Sequence, residues 1–546
     1  MFKDLLKRWN RRRLEKRRLK QSGQQLQPID PASLSTALGA HVQNINVRDL
    51  LIATSSGPTT SDSASAQPLH AWRALLGAID ELPTGIAVTL AVVGTPPADQ
   101  CGRIIQTLPL PKDAPPLLAA LHAAKAQGAS HLLWVNHGCI VEPHAFAHLL
   151  RVSEAAQHNA LVDALHFPHE AAKSFDPNSL TTPWISSECL LVPSAGFDLL
   201  DQASSTTESP AALDMALSRK AQAEGLALIS CPTALVCAPP KPVRHDSDDG
   251  HTVSVIIRHH DFGKFAELRR CLFSIACSTW PHIEAIVVCQ SFPTSELAKV
   301  ERHADLLHRS LGLRIKILNP DLPKGIDHRS TLLNTGIEAA NGRYLAFLDY
   351  DDCIYPTAYD NLIQACRSSG SHIAFGDIYI KRAAIVGDTT IVRSHSRAWG
   401  TRNLFDLLHD NCCPIHSYVV DRQGVPEGLL RFDKTLNKYE DYDFLIKICS
   451  QYKSDFSQIS EVVGDYYIKE DGSNSVITAS SFSSEAKQAW QTSKQVVHDR
   501  RDQTPLSPQV LDHANKALQS AGLPQLASGA TVLHLNQRST PLRQLN

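Results

Sequence analysis

The stretch Gly342–Asp352 most constrains what this chain can fold into. Tyr344-Leu345-Ala346-Phe347-Leu348 is an apolar run of strand length, and it ends in Asp349-Tyr350-Asp351-Asp352, three carboxylates within four residues. Pro356 then blocks further strand pairing and starts a new element. Carboxylates just past the end of a buried strand stand where open α/β sheets bind ligands. Acids this close repel one another unless a cation or a donor-rich ligand neutralises them, which points to a hard divalent metal. An acidic turn capping the next helix explains the tetrad alone equally well. The flanking sequence decides.

At 546 residues the chain exceeds one ordinary core, so two or more domains are expected. Charge is nearly balanced, with 53 basic and 55 acidic residues, so overall charge says nothing about nucleic acid; no nucleic-acid partner is expected. Thirteen cysteines show no CxxC pair, which favours buried thiols in a reducing compartment over a disulfide framework or a zinc site. Without a bilayer-length apolar run or a signal-peptide core, a soluble, cytoplasmic chain is expected. Residues 1–20 hold ten basic residues, with Phe2, Leu5, Leu6 and Trp9 on one helical face. Such a segment lies on anionic lipid or is a solvated arm. The first reading puts the protein peripherally at the inner face of the membrane.

Alternating helices and apolar strands argue for parallel sheets in two successive units. In the first, strands are expected at Leu50–Ala53, Ile86–Val93 and His131–Val135, with helices near 71–82 and 119–127. Pro239-Pro240 and the charged 244–250 mark a linker. The second has strands at Val253–Ile257, Glu284–Val288 and Leu313–Leu318, then a loop from Gly325 and a helix over 331–340. Laid side by side, His131–Phe146 matches Tyr344–Tyr359, with Pro143 on Pro356 and Ala145 on Ala358. Asn136, His137, Gly138 and Cys139 then stand where Asp349, Tyr350, Asp351 and Asp352 stand. The first unit keeps a scaffold and lacks the carboxylates.

Four blocks carry a resemblance: VSVIIR, WPHIEAIVV, LLNTGIEAANGRYLAFLDYDDCIYP and Lys438-Tyr439-Glu440-Asp441-Tyr442-Asp443. In this order and spacing, the second unit resembles a family 2 glycosyltransferase of the GT-A fold. The expected architecture is α/β. A GT-A domain with a Rossmann-like, mostly parallel sheet (250–477) follows a basic segment (1–30) and a degenerate GT-A-like domain (40–240). A helical, polar C-terminal tail (478–546) ends the chain. The resemblance implies transfer of a sugar from a nucleotide-sugar donor to a hydroxyl of a saccharide or glycolipid acceptor. It implies inversion by single displacement, assisted by a divalent metal, Mn or Mg, as Lewis acid. The setting it suggests is assembly of a surface polysaccharide or glycoconjugate.

By match, Asp349 lies near the donor ribose and Asp351 holds the metal, with Asp349 and Asp352 supporting it. Asp441 is the general base, and Glu440 orients the acceptor or the base. Arg258, Gln290, Arg329 and Asn334 are carried over as donor contacts. Departures are plain: Cys289-Gln290-Ser291 stands where an acid often reads the donor base, and no histidine lies between Asp441 and His498 to complete a metal site. In the first unit Ala211 and Ala212 fall on Glu440 and Asp441, so that domain is expected to bind acceptor, partner or a second copy of the chain without turnover. Two rivals come from other classes. A haloacid dehalogenase-like phosphohydrolase would use Asp349 as nucleophile, with Gly464-Asp465 and Asp471 as late acids. A noncatalytic sugar-binding scaffold would use neither unit for chemistry.

Overall fold

A computed structural model describes residues 47–544 apart from 48, 56–65, 96–102, 110–114, 157, 159, 168–181, 183–184, 187, 205–209, 238–250, 324–327, 387–388, 399–402, 412, 437 and 470–483. The basic segment 1–30, the linker at 244–250, the start of the loop at Gly325 and the late acid Asp471 lie outside the described residues. The chain divides into two compact units, Met1–Val236 and Cys237–Asn546.

The first unit carries β1 (Asp49–Ser55), β2 (Ala87–Val93), β3 (Ile105–Leu108), β4 (His131–Val135), β5 (Ile140–Val141), β6 (Ala160–Phe167), β7 (Cys189–Pro193) and β8 (Ala227–Cys237). They form one sheet in the order β3-β2-β1-β4-β7-β6-β8-β5. The second unit carries β9 (Val253–His259), β10 (Ile283–Cys289), β11 (Arg314–Leu318), β12 (Tyr344–Asp349), β13 (Cys353–Ile354), β14 (Ile373–Val386), β15 (Thr389–Arg397), β16 (Tyr418–Asp421) and β17 (Ser454–Lys469). Its order is β11-β10-β9-β12-β16-β14-β17-β13, with β15 pairing β14 off the path. Strand for strand the two orders are the same, so the repeat read from one segment extends to the whole sheet. Register agrees too: Leu50 faces His131 as Val253 faces Tyr344. Carried five residues on, this places Ser55 where the second unit has Arg258.

The order of strands explains where a ligand site forms. After β9 the chain builds β10 and β11 outward on one side, then returns to lay β12 on the other. All of β9, β10, β11 and β12 pair in parallel. The connections therefore part above the carboxyl ends of β9 and β12, and ligands bind in such a crevice. Arg258 and Asp349 are register partners at those two ends. β9 and β12 are buried on both faces almost throughout, as continuous apolar runs in a parallel sheet should be. The helix Arg329–Ala339 approaches β9 closely through Gly336, where an added Cβ would stand 2.3 Å from Ile256 Cγ2.

The expected polar tail is helical, over Ser484–Gln503, Pro508–Ser520 and Val532–Gln544. It is also part of the second unit's core. Leu506, Val510, Ala514, Leu518, Val532 and Leu535 join the cluster built on Phe347, Phe375, Phe432 and Phe444. The helix Thr294–Leu311 was not read from sequence, because its mixed charges hide a buried stripe of Val300, Ala304, Leu307 and Leu311. All eleven described cysteines are free and buried, in line with the expectation of thiols.

Candidate active site

The site begins with two strand ends. Arg258 leaves β9 and Asp349 leaves β12 on adjacent strands, so their side chains share the same end of the sheet. Arg258 Nε donates to Asp349 Oδ1, and Nη2 donates to Oδ2 at 2.9 Å. Its Nη1 donates to Glu440 Oε1 at 2.8 Å. Arg329 Nη1 stands 3.6 Å from the same Glu440 oxygen. One guanidinium thus ties the end of the acidic strand to the start of the helix Glu440–Cys449. Burial pushes the Asp349 carboxyl upward, but the Arg258 charge and hydrogen bonds outweigh it and hold it below its ordinary value.

Glu440 and Asp441 open that helix, where the backbone N–H groups favour negative charge. Tyr439 caps it in the left-handed region, φ 62°, a conformation a tyrosine adopts only when its surroundings hold it there. Here Trp490 packs against its ring at 5.1 Å, and His498 at 6.3 Å. Asp441 Oδ1 accepts from Tyr442 N–H at 2.8 Å and from Asn411 Nδ2 at 3.3 Å. Burial and the neighbouring Glu440 nevertheless push its carboxyl up to about 6. His498 Nε2 lies 3.2 Å from Asp410 Oδ1, and Lys494 Nζ donates to the same carboxylate at 2.9 Å; the two brace the helix bearing Trp490.

The remaining two acids part company. Asp351 Oδ2 accepts from Lys469 Nζ at 2.8 Å, and the Asp351 carbonyl accepts from Arg270 Nη2 at 2.9 Å. Asp352 is 1% exposed. Its Oδ1 accepts from Tyr467 N–H at 2.9 Å, and its Oδ2 lies 3.5 Å from His416 Nδ1. Burial, then the charges of Asp351 and Asp349, push the Asp352 carboxyl well above its ordinary value. Burial likewise drives His416 down to about 4.

Of the sequence-derived residues, the structure brings Arg258, Arg329, Asp349, Glu440 and Asp441 to one end of the sheet. The structure gives several of these residues partners within the protein. Arg258, expected on phosphate, is engaged by two carboxylates. Asn334, expected on the donor, has its carboxamide committed in both directions to the Phe432 backbone, at 2.9 and 2.8 Å. Gln290 stands half-buried at the end of β10 with its N–H on the His259 carbonyl. Asp352 is buried beside the β13–β17 edge, on Tyr467 N–H and near His416.

The residues present do not fit a resident divalent ion. Both Asp349 oxygens are held by Arg258, Asp352 is buried and accepts from the Tyr467 N–H, and Asp351 already carries the buried Lys469 ammonium. Among the described residues no three His, Cys, Asp or Glu side chains converge on a metal position. Sequence reading missed Lys469, Arg270 and Asn411. The one available signal was a lysine closing the aromatic run Asp465-Tyr466-Tyr467-Ile468.

Three comparisons bear on this arrangement. The family described as "Glycosyl transferase family 2" matches residues 254–421. The uncharacterized glycosyltransferase YibD of Escherichia coli (strain K12) is 32% identical over 117 residues, 20% of this chain and 29% of that protein. A PGL/p-HBAD biosynthesis glycosyltransferase of Mycobacterium bovis is 28% identical over 193 residues, 34% of this chain and 65% of that protein. The chain thus spans less than two thirds of either relative. The solved structure of S. aureus TarS 1–349 in complex with UDP-GlcNAc is 15% identical over 49% of this chain and 73% of that one, with a TM-score of 0.32.

Proposed function

We propose, from the match of residues 254–421 to the family described as "Glycosyl transferase family 2", that this chain transfers a sugar from a nucleotide-sugar donor to a hydroxyl acceptor. The reaction is an inverting single displacement in the crevice above β9 and β12. The acceptor oxygen attacks the anomeric carbon while the bond to the diphosphate oxygen breaks. The electron pair leaves with the diphosphate, and the acceptor proton passes to Asp441. A base with a carboxyl near 6 is ionised at neutral pH yet stronger than an ordinary aspartate, which suits the task. Arg258 and Glu440 hold the helix start that carries Asp441 against the strand that carries Asp349.

The observation that carries this reading is the Asp349–Arg258–Glu440 chain, which links three sequence blocks to a raised, half-buried acid. In family members that use a divalent metal the ion supplies a Lewis acid to the leaving diphosphate; the residues here do not fit it, and no step is derived through it. The phosphohydrolase reading needs Asp349 free to attack phosphorus, and both its oxygens are held by Arg258. Saccharide or glycolipid acceptors, surface-polysaccharide assembly and docking on anionic membrane through residues 1–20 belong to the proposal. None of the described helices is long and apolar enough to cross a membrane. The first unit is proposed as a noncatalytic copy that binds acceptor, partner or another chain, since Ser55, Asn136, Gly138 and Ala212 replace the charged positions.

The test is a panel of nucleotide sugars incubated with the full chain and mixed saccharide acceptors, with release of nucleoside diphosphate as readout. Release from one donor, abolished in Asp441→Asn with binding retained, is expected. Equal release by the variant would discard Asp441 as base, and silence across all donors would favour the scaffold.

A further inference from the structure

Consecutive residues Leu408, His409, Asp410 and Asn411 lead from the C-terminal helices to Asp441. From the helix Val532–Gln544, Asn536 Nδ2 donates to the Leu408 carbonyl at 2.9 Å. From the helix Ser484–Gln503, Arg501 Nη1 donates to the His409 carbonyl. Lys494 and His498 of that same helix hold the two oxygens of Asp410 at 2.9 and 3.2 Å. The Asn411 N–H closes on Asp410 Oδ1 at 2.8 Å, and its carboxamide turns to the acid. Asn411 Oδ1 accepts from the Cys413 N–H at 3.4 Å, which sends Nδ2 to Asp441 Oδ1 at 3.3 Å.

The two oxygens of Asp441 are unequal. Oδ1 takes the Tyr442 N–H and the Asn411 carboxamide, and among the described residues Oδ2 takes no donor. A carboxylate pinned through one oxygen presents the other in a fixed direction, as a base must toward the proton it removes. A donor on the carboxylate also favours its ionised form, against burial and Glu440. The charges acting on Asp441 are Glu440 on its own helix and Arg258 from β9, while Asp410 beside Asn411 is met by Lys494. Tyr418 from β16, Tyr466 from β17 and Tyr439 face it with hydroxyls that stay protonated. On the other flank, Trp490 of the same C-terminal helix packs on Tyr439, the left-handed residue from which Glu440 and Asp441 start.

We infer that Asn411 is a positioning residue for the transfer: held by the C-terminal helices through Leu408, His409 and Asp410, it sets the direction and the ionisation of Asp441. The inference rests on the role of Asp441 as base proposed above. The C-terminal helices thereby belong to the working site and act on it through Asn411. Without that carboxamide, Oδ1 keeps only the Tyr442 N–H, the acid holds its proton more tightly, and Oδ2 loses its fixed direction.

The pH dependence of kcat/KM, measured on the full chain with the nucleotide sugar it turns over, tests this. In Asn411→Ala the acid limb should move up by about one pH unit, the loss of one hydrogen bond to a charged group. Lys494→Met, at a partly exposed residue, should move it the same way by less, and serves if the alanine variant does not fold. A merely structural role would lower the rate at every pH and leave the limb in place. Urea unfolding at about pH 5 and about pH 8 gives a readout without turnover. The folded state holds the Asp441 proton more tightly than the unfolded chain, so Asp441 makes stability fall as pH rises through about 6. Asn411→Ala should enlarge the share of that fall that Asp441→Asn removes. A limb that stays in place, or an unchanged Asp441 share of the fall, would overturn the inference and leave Asp441 standing as base. Transfer by Asp441→Asn at the parent rate would overturn both.

Discussion

Arg258 and Asp349, 91 residues apart, close a two-point ion pair across adjacent parallel strands. The pair works because register sets both residues at the same end of the sheet, and a planar guanidinium matches a carboxylate with two parallel N–H groups. The third N–H on Glu440 makes Arg258 the joint between the sheet and the helix Glu440–Cys449. Arg258→Ala leaves two buried carboxylates uncompensated and should cost about 3–5 kcal/mol of stability, read from urea unfolding. Arg258→Lys keeps the charge and loses the fork, so it should unfold more like the parent yet lose most transfer activity. Parent-like activity in the lysine variant would show that the fork does not matter.

Asp441 predicts a pH signature. Its carboxyl is pushed from an ordinary 3.8 to about 6 by burial and by Glu440. As a base it must be ionised, so kcat/KM should rise with pH and level off above about 6. For stability the direction is opposite. The folded state holds this proton more tightly than the unfolded chain, so the contribution is complete below 3.8 and is lost as pH rises through about 6. Asp441→Asn should remove both the acid limb of the rate profile and that part of the stability change.

Gly464 stands where β17 crosses β13, and an added Cβ would be 2.4 Å from the Cys353 carbonyl oxygen. A backbone atom cannot swing aside as a side chain can. Gly464→Ala should cost about 1–3 kcal/mol, seen as a lower melting temperature. An unchanged melting temperature would mean that β17 and β13 part enough to take the methyl group without loss of packing.

The C-terminal helices should behave as core. Leu535 is fully buried among Leu506, Val510 and Leu518, and Asn536 Nδ2 donates to the Leu408 carbonyl at 2.9 Å. Leu535→Ala should destabilise the second unit by about 2–5 kcal/mol. Ending the chain after residue 503 should yield insoluble protein or one lacking near-ultraviolet circular dichroism. A soluble, sharply melting truncated chain would contradict this packing.

Much of the architecture can be read from local pattern. The runs in β9, β10 and β12 are apolar because both faces of a parallel sheet are covered, and their lengths fix the strands. The match of His131–Phe146 to Tyr344–Tyr359 reports a shared strand–turn–helix unit, and the two sheets extend it through all eight positions. The acids at Asp349 and Asp351 are visible because nothing in strand formation asks for them there, and Asp441 because it belongs to the Glu440-Asp441 block that the resemblance matches.

What neutralises those acids was decided by tertiary structure. Arg258 reaches Glu440 across 182 residues and Lys469 reaches Asp351 across 118, distances that no periodicity encodes. Periodicity reports which face of an element is buried, but ion partners are set by strand order and register, which emerge only when the sheet is assembled. The same reason hides Asn334, whose sequence neighbourhood suggested a ligand and whose carboxamide instead fastens Phe432. It also hides the packing of the C-terminal helices, which were expected as a polar helical tail: the apolar surface that accepts them exists only after the β9–β17 sheet has formed.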